Sequence, residues 1–214
     1  MTTPISLPKI SRPASRDWDV ILTAFSNAPK WSYKQHWLPA QEETFRPATV
    51  SLAHDGERIL IFADLSDDDL FTKVTANGQE LWNLGDVFEI FCRDVSGDRY
   101  YEFHVSPNAF NLQLRWPSAE FFQDKGSYTL DDVRVSEPLF DYQVRETPTG
   151  WQVLAELSAA TLFDNAAPLE GQTWALSFGR YDVSSDSEKQ TLSSTSPHQR
   201  PLSYHNQQYW EAVR

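Results

Sequence analysis

The segment Leu81–Val105, LWNLGDVFEIFCRDVSGDRYYEFHV, constrains the fold more tightly than any other part of this chain. Val87–Cys92 and Tyr100–Val105 are rich in β-branched and aromatic residues, which favour strands. The polar run Asp94–Asp98 between them contains the Asp, Ser and Gly residues that are typical of a turn. We therefore predict two β-strands joined by this turn.

Both predicted strands divide into two faces, because successive side chains of a strand point to opposite sides. The predicted core faces carry Phe88, Ile90 and Cys92 on one strand and Tyr101, Phe103 and Val105 on the other. The opposite faces carry Val87, Glu89 and Phe91, and Tyr100, Glu102 and His104. A surface that combines carboxylates, an imidazole and flat rings suits a polyhydroxylated ligand.

The bulk composition narrows the class of partner. A chain of 214 residues is long enough for one large β domain or two small ones. Its aromatic content of 14% is incompatible with disorder, and its net charge of −12 argues against nucleic acid or an anionic membrane as partner. No stretch is long and apolar enough to cross a bilayer. A neutral ligand such as a sugar remains compatible, and the oligomeric state is left open.

The cysteine content and the N-terminus bear on the compartment. Cys92 is the single cysteine, which excludes an intrachain disulfide and a multi-cysteine zinc site and predicts a buried free thiol. The N-terminal residues lack the apolar segment of a secretory signal. We expect a cytoplasmic protein if Met1 is the native start, and a secreted or periplasmic one otherwise.

Short strands at regular spacing predict an all-β, antiparallel β-sandwich of immunoglobulin-like or jelly-roll type with little helix. Besides the two strands above, the predicted strands are Ala48–Ala53, Arg58–Asp64, Leu112–Trp116, Val133–Ser136, Tyr142–Glu146, Trp151–Leu157 and Thr173–Tyr181. A short helix is predicted near Leu70–Thr75, a helical turn at Ser158–Leu162, and a wrapped loop with short strands over Asp17–Pro39. We expect an N-terminal arm or edge segment over residues 1–16 and a single domain over residues 17–214.

Two blocks of the sequence resemble the family 9 carbohydrate-binding modules and their DOMON-like relatives. They are the hairpin ATVSLAHDGERILIFADLSD and, more specifically, LWNLGDVFEIFCRD followed by YYEFHVSP. Weaker similarity continues through GWQVLAELSAATL, WALSFGRYD and the tail SSTSP…YHNQQYWEAV, so the resemblance covers most of the chain from about Asp17. It implies a β-sandwich that binds sugars without transforming them.

The resemblance also assigns roles to single positions. Trp82 matches a tryptophan that stacks on a sugar ring, Glu89 matches a hydrogen-bonding carboxylate, and His104 falls where family members have a basic residue. The chain departs from the family in its tail, where the segment 192–197 reads LSSTSP without the second tryptophan that sandwiches the ligand.

The predicted carbohydrate site combines aromatic stacking with polar contacts. Its candidate residues are Trp82, Asp86, Glu89, Glu102, His104, Arg115, Trp116 and Tyr181. In this hypothesis Trp82 is the stacking platform, Glu89 and His104 direct hydrogen bonds, and Asp86 and Arg115 support the rim. Trp116, Tyr181 or Tyr204 would replace the missing tail tryptophan.

Several alternatives stay open at this point. In the first alternative, no sugar site exists: Trp82 caps the end of the sandwich, and the polar face of Glu89, Glu102 and His104 is a salt-bridged surface exposed to solvent. The domain would then be an interaction or scaffold module that has lost its sugar site. A third hypothesis is a glycan-active enzyme using Glu89 and Glu102, since retaining glycosidases place two carboxyls about 5 Å apart; we expect no enzyme activity.

The remaining ionisable groups give weaker hypotheses. Asp64, Asp67, Asp68 and Asp69 are candidate calcium ligands, although a solvated turn explains the same run. No zinc site is expected, because the histidines match no zinc spacing. A haem bound through methionine and histidine, as in some DOMON relatives, is not expected either, because Met1 is the only methionine. Arg180 and Asp182 alternate with Tyr181 and predict a structural ion pair.

Overall fold

The computed structural model describes residues 3–13, 17–163, 169 and 171–214. The strands are β1 Lys30–Ser32, β2 Ala48–His54, β3 Arg58–Ser66, β4 Val87–Asp94, β5 Tyr100–Val105, β6 Asn111–Trp116, β7 Phe140–Thr147, β8 Gly150–Ser158, β9 Trp174–Val183, β10 Gln190–Ser194 and β11 Glu211–Val213. The α-helices are α1 Trp18–Ala24, α2 Ala119–Gln123 and α3 Ala159–Phe163, and 3-10 turns occur at Leu81–Asn83, Leu130–Asp132 and Gln207–Tyr209.

The strands form two antiparallel sheets packed face to face. The first sheet has the strand order β1-β2-β3-β8-β7, and the second has the order β10-β9-β4-β5-β6. Strand β11 also pairs with β9, at the end of β9 that β10 leaves free. This architecture confirms the predicted antiparallel β-sandwich with little helix. The predicted hairpin is present as β4 and β5, and the structure places it in the middle of the second sheet.

The main core lies between the two sheets. Phe88, Ile90 and Cys92 of β4 point into it beside Phe103 of β5, as the alternation predicts. The first sheet contributes apolar residues from β2, β3 and β8, including the fully buried Trp151. Burial raises the pKa of the Cys92 thiol far above its usual value, so this cysteine is an inert core residue.

The outer face of the first sheet is covered by α1. Asp17 caps this helix by accepting a hydrogen bond from the Asp19 amide, and Ile21 and Phe25 pack on a patch that includes Phe62. The prediction of a wrapped loop for Asp17–Pro39 is therefore wrong for its first turns, because this apolar patch stabilises a short helix. No helix in the described ranges has the length and apolar character needed to span a membrane.

The outer face of the second sheet is also buried, under a layer of long connections. This outer layer consists of the segments 71–84, 117–133 and 202–210, which place Leu81, Val133, Tyr204 and Trp210 over the strands. All ten residues of β9 are buried as a result. A sheet covered on both faces departs from the polar alternation expected of a solvated antiparallel sheet.

Two predicted elements in these connections are wrong. Leu70–Thr75 is extended instead of helical, because Thr72 forms a bridge with Gly85 and the Phe71 amide donates to the Asp86 carboxylate. The predicted strand Val133–Ser136 is reduced to one bridge between Arg134 and Leu114. In both segments, contacts with the sheet determine the backbone conformation, and the local sequence propensity does not.

The N-terminal segment runs along the edge of the sandwich. Ile5 forms a bridge with Val213, Lys9 forms one with His54, and Leu7 is buried in the main core. Residues predicted as an arm or edge segment thus follow the edges of both sheets.

One end of the sandwich is closed by a buried arginine among carboxylates. Arg180 of β9 lies 3.0 Å from Asp182 and 3.3 Å from Asp67, and it also donates to the carbonyls of Arg46 and Ser66. Carboxylate oxygens of Asp67, Asp86 and Asp182 lie within 4.8 Å of one another. Burial raises the pKa of Asp86 to about 8 and that of Asp182 to about 6, and the charge of Arg180 opposes the shift at Asp182. The guanidinium is thus the buried counterion of Asp67 and Asp182.

We expect Arg180→Met to lower the free energy of unfolding by about 3–5 kcal/mol, because it leaves buried carboxylates without their cation. Urea denaturation measures the change. The matched control is Arg115→Met at an exposed position, which should change stability by no more than about 0.5 kcal/mol. Equal losses in the two variants would contradict the role of Arg180.

A second stability prediction concerns His198, which is fully buried beneath Tyr204 and Tyr209 and lies 3.3 Å from the Ser177 hydroxyl. Burial lowers its pKa from 6.5 to about 4. The folded state therefore binds fewer protons than the unfolded state in this range, and stability falls as the pH falls from 6.5 to about 4.

His198→Gln removes this titration. We expect the stability of the wild-type protein relative to the variant to be greatest above pH 6.5 and to shrink by on the order of 2 kcal/mol towards pH 4. Urea unfolding of both proteins across this range gives the difference directly. A difference that stays constant with pH would contradict the buried, neutral state of His198.

Candidate functional site

A cavity of about 620 Å³ lies between the second sheet and the outer layer. This volume is in the range of small-molecule sites. Described residues that line it are Trp82, Asn83, Glu89, Phe91, Glu102, Leu114, Trp116, Phe122, Lys125, Gly126, Tyr128, Leu130, Tyr181, Gln190, Leu202, Tyr204 and His205. Its floor is the outer face of β4, β5, β6 and β9, and its walls come from the connecting segments.

Three ionisable residues are paired at the floor. Glu89 of β4 lies directly opposite His104 of β5 in the register. Glu102 lies two residues before His104 in β5, on the same face of the strand. His104 Nε2 is 2.7 Å from Glu102 Oε1 and 3.4 Å from Glu89 Oε1. All three side chains are buried, so the predicted shared face is present but is not a solvent face.

The sheet makes room for Glu89 at a glycine. Gly179 of β9 is the register partner of Glu89, and a Cβ at this position would lie 2.6 Å from Glu89 Oε2 and 3.0 Å from the Tyr204 ring. Any larger residue would collide with the carboxylate. The glycine of the GRYD sequence is thus a spatial requirement of the site.

The two carboxyls differ in their protonation. Burial raises the pKa of Glu89 to about 8, although His104 opposes this shift. Burial acts in the same direction on Glu102, but hydrogen bonds from His104 and Trp116 and the nearby His205 lower its pKa overall. Burial lowers the pKa of His205 to about 4, so at neutral pH the hydrogen bonds, and not His205, keep Glu102 ionised.

His104 carries the positive charge of this group. Burial alone would lower its pKa, but the charges of Glu89 and Glu102 and the hydrogen bond to Glu102 raise it above 6.5. The floor therefore combines a His104 whose protonated form is favoured, a Glu102 that stays ionised, and a Glu89 whose pKa of about 8 keeps it largely protonated near neutral pH.

Trp82 forms one wall of the cavity. It lies in the 3-10 turn Leu81–Asn83, stays partly exposed, and presents its ring to His104 with centroids 5.2 Å apart. Gln190 Nε2 donates a hydrogen bond to the Trp82 carbonyl at 2.8 Å and so connects this turn to β10. The exposed part of the indole is available to a ligand.

Further aromatic rings surround Trp116. Its Nε1 donates to Glu102 Oε2 at 2.8 Å, and its ring meets Phe122, Tyr128 and His205 edge to face. His205 stacks on Phe122 with ring centroids 3.6 Å apart. These contacts fix the wall and also orient Glu102.

The structure brings together most of the predicted binding residues. Trp82, Glu89, Glu102, Trp116 and Tyr181 line the cavity, and His104 lies directly behind the two carboxylates.

Asp86 and Arg115 are placed differently from the prediction. The Asp86 carboxylate is buried and accepts hydrogen bonds from the amides of Phe71 and Val183. Arg115 is exposed, and it alternates along β6 with the cavity residues Leu114 and Trp116, so it belongs to the opposite face of that strand. Neither supports the rim as predicted.

The predicted calcium ligands are dispersed among other partners. Asp64 accepts a hydrogen bond from Gln152, Asp68 pairs with Arg46, and Asp69 accepts from Ser185. Within the described ranges, Asp67 instead lies close to Asp86 and Asp182, which together could offer oxygen ligands to a metal ion. Arg180 forms ion pairs with Asp67 and Asp182 in this group. The four aspartates of the sequence run do not converge.

Sequence reasoning missed Phe122, Tyr128 and His205. The available signal was the density of aromatic residues in 121–128 and 204–210. Their arrival at the cavity depends on how two long connections cross the sheet, which short-range patterns do not encode. Tyr204, named as a substitute for the absent tail tryptophan, does line the cavity.

No family model matches the sequence, and no curated protein matches it either. Solved structures do share the fold. A candidate carbohydrate-binding protein from Bacteroides uniformis superposes with a TM-score of 0.74 at 14% identity, covering 98% of this chain and 97% of that one.

Family 9 carbohydrate-binding module structures from Caldicellulosiruptor kristjanssonii are also similar. The complex with cellotriose has a TM-score of 0.66 at 14% identity and covers 99% of this chain and 93% of that one. The complex with glucose has a TM-score of 0.63 at 13% identity, with coverage of 99% and 95%. The likeness spans both sheets and confirms that this chain has the β-sandwich fold of the family 9 carbohydrate-binding modules.

Proposed function

We propose that this protein binds a mono- or oligosaccharide in the cavity without transforming it. The observation that carries the proposal is a partly exposed indole, Trp82, beside two buried carboxyls, Glu89 and Glu102, in a cavity of about 620 Å³. A pyranose presents an apolar face and a ring of hydroxyls. The cavity offers a matching aromatic wall and polar floor.

Each group has a role in this proposal. The sugar ring stacks on Trp82, and its hydroxyls form hydrogen bonds with the carboxyl groups of Glu89 and Glu102. His104 holds both carboxylates in place from behind, and the phenol of Tyr181 offers a further polar contact at the wall. The carbohydrate complexes of two structural neighbours support this ligand class.

Binding is favoured over glycoside hydrolysis because Glu102 is already committed to other side chains. Its oxygens contact His104 at 2.7 Å, Trp116 at 2.8 Å and His205 at 3.6 Å. A nucleophile must approach the anomeric carbon freely, and these contacts hold the Glu102 oxygens in place. Glu102 is therefore better suited to accept hydrogen bonds than to attack a sugar.

We expect Trp82→Ala to weaken saccharide binding at least tenfold, about 1.4 kcal/mol, because it removes the stacking surface. Isothermal titration calorimetry against a panel that includes glucose and cellotriose measures the change. Trp18→Ala is the matched control, since Trp18 packs on the opposite side of the molecule with the α1 cluster; its affinity should equal that of the wild type.

Unchanged affinity in Trp82→Ala would contradict the stacking role. Silence of the wild-type protein across the whole panel would contradict carbohydrate binding itself. If silence were accompanied by capture of one stoichiometric protein partner, the interaction-module hypothesis would replace it.

A further inference from the structure

We infer that the cavity prefers amino sugars, saccharides that carry a protonated primary amine, over the corresponding neutral sugars. This inference rests on the proposed carbohydrate-binding function and specifies its ligand class. It follows from the juxtaposition of an undercompensated buried carboxylate, Glu89, with a cavity walled by aromatic rings.

The floor of the cavity holds more acidic than basic side chains. With both carboxyls ionised, Glu89 and Glu102 carry two negative charges, and the imidazolium of His104 supplies one positive charge. Among the described lining residues, the other charged side chain is Lys125, which is exposed and lies over the Phe122 ring, 5.1 Å from its centroid. An exposed, solvent-screened charge compensates a buried floor poorly, so one of the two carboxyls lacks a counterion when both are ionised.

Glu89 is the carboxyl that lacks a counterion. Glu102 has its two oxygens engaged by His104 and Trp116, with His205 close by. Glu89 has only the longer contact to His104 at 3.4 Å, and its Oε2 has no hydrogen-bond partner among the described residues. Glu89 is 2% exposed yet lines the cavity, so a ligand bound in the cavity can reach this free oxygen.

An ammonium group suits the free oxygen of Glu89 better than a hydroxyl group does. An ammonium group donates three hydrogen bonds and brings the missing charge, whereas a hydroxyl donates one hydrogen bond and brings none. Hydrogen bonds between ionised groups are roughly twice as strong as neutral ones. Aromatic faces such as those of Trp82 and Tyr181 also attract cations, so the walls favour the same group as the floor.

The protonation of Glu89 is consistent with this reading. Burial raises its pKa to about 8, which is the response of a buried carboxyl that lacks sufficient positive charge nearby. A bound ammonium would supply that charge and return Glu89 to its ionised form.

Calorimetric titration of the full chain near neutral pH with glucosamine, glucose and N-acetylglucosamine tests the inference. The three probes share a ring, and only glucosamine carries an ammonium. We expect glucosamine to bind about tenfold more tightly than either neutral sugar. In Glu89→Gln this preference should fall to about twofold or less, while Glu57→Gln, an exposed site away from the cavity, should retain it.

The comparison of sugars on the wild-type protein stands even if Glu89→Gln fails to fold. Raising the salt concentration supplies a second readout, because it should weaken glucosamine binding more than glucose binding. Equal affinity for the three sugars, or a preference for a neutral one, overturns the inference but leaves carbohydrate binding in place. Absence of binding to any of the three, and to the wider panel, overturns both.

Discussion

The organisation of this molecule depends on keeping Glu89, His104 and Glu102 out of water on the outer face of a sheet. Each of them is costly to bury alone, and burying them together costs less because the His104 ring lies within 3.4 Å of both carboxyl groups. Antiparallel register places Glu89 directly opposite His104, and strand alternation adds Glu102 on the same side. The arrangement is therefore a property of one hairpin.

The rest of the second sheet is built around this group. Gly179 leaves room for the Glu89 carboxylate, and Trp116 on the next strand donates to Glu102. The outer layer then excludes solvent, with Tyr204 and Trp210 packed over the strands. A cavity remains where this layer does not reach the floor. The outer layer that excludes solvent from the ionisable side chains thus also encloses the space in which a ligand can contact them.

A comparable solution closes the end of the sandwich. Arg180 is buried between Asp67 and Asp182, and it supplies a positive charge beside three converging carboxyl groups. An arginine delivered by the core strand β9 makes this group part of the fold. The two buried ionic clusters lie on different faces of the same sheet, and only the one on the outer face opens into the large cavity.

Much of this could be predicted from alternation and turn signals. The division of β4 and β5 into a core face and a polar face followed from period-two patterning, and it correctly grouped Glu89, Glu102 and His104. The helix at Trp18–Ala24 was missed because three tryptophans without a helical period suggested a loop, whereas apolar contacts with Phe62 and its neighbours stabilise it. Phe122 and His205 were missed because their role depends on where long connections cross the sheet. Arg115 and its neighbour Trp116 were both assigned to the site, but adjacent residues of a strand point to opposite faces, and Trp116 is the one that lines the cavity.

The most direct test of this account is a pH titration of the glutamate side-chain carboxyl resonances by carbon-13 NMR, with Glu89→Gln and Glu102→Gln used for assignment. The account predicts that Glu89 takes up its proton near pH 8, while Glu102 stays ionised to below pH 4.5. Two carboxyls that both titrate close to pH 4.5, as solvent-exposed glutamates do, would contradict the buried, imidazolium-linked floor on which the site depends.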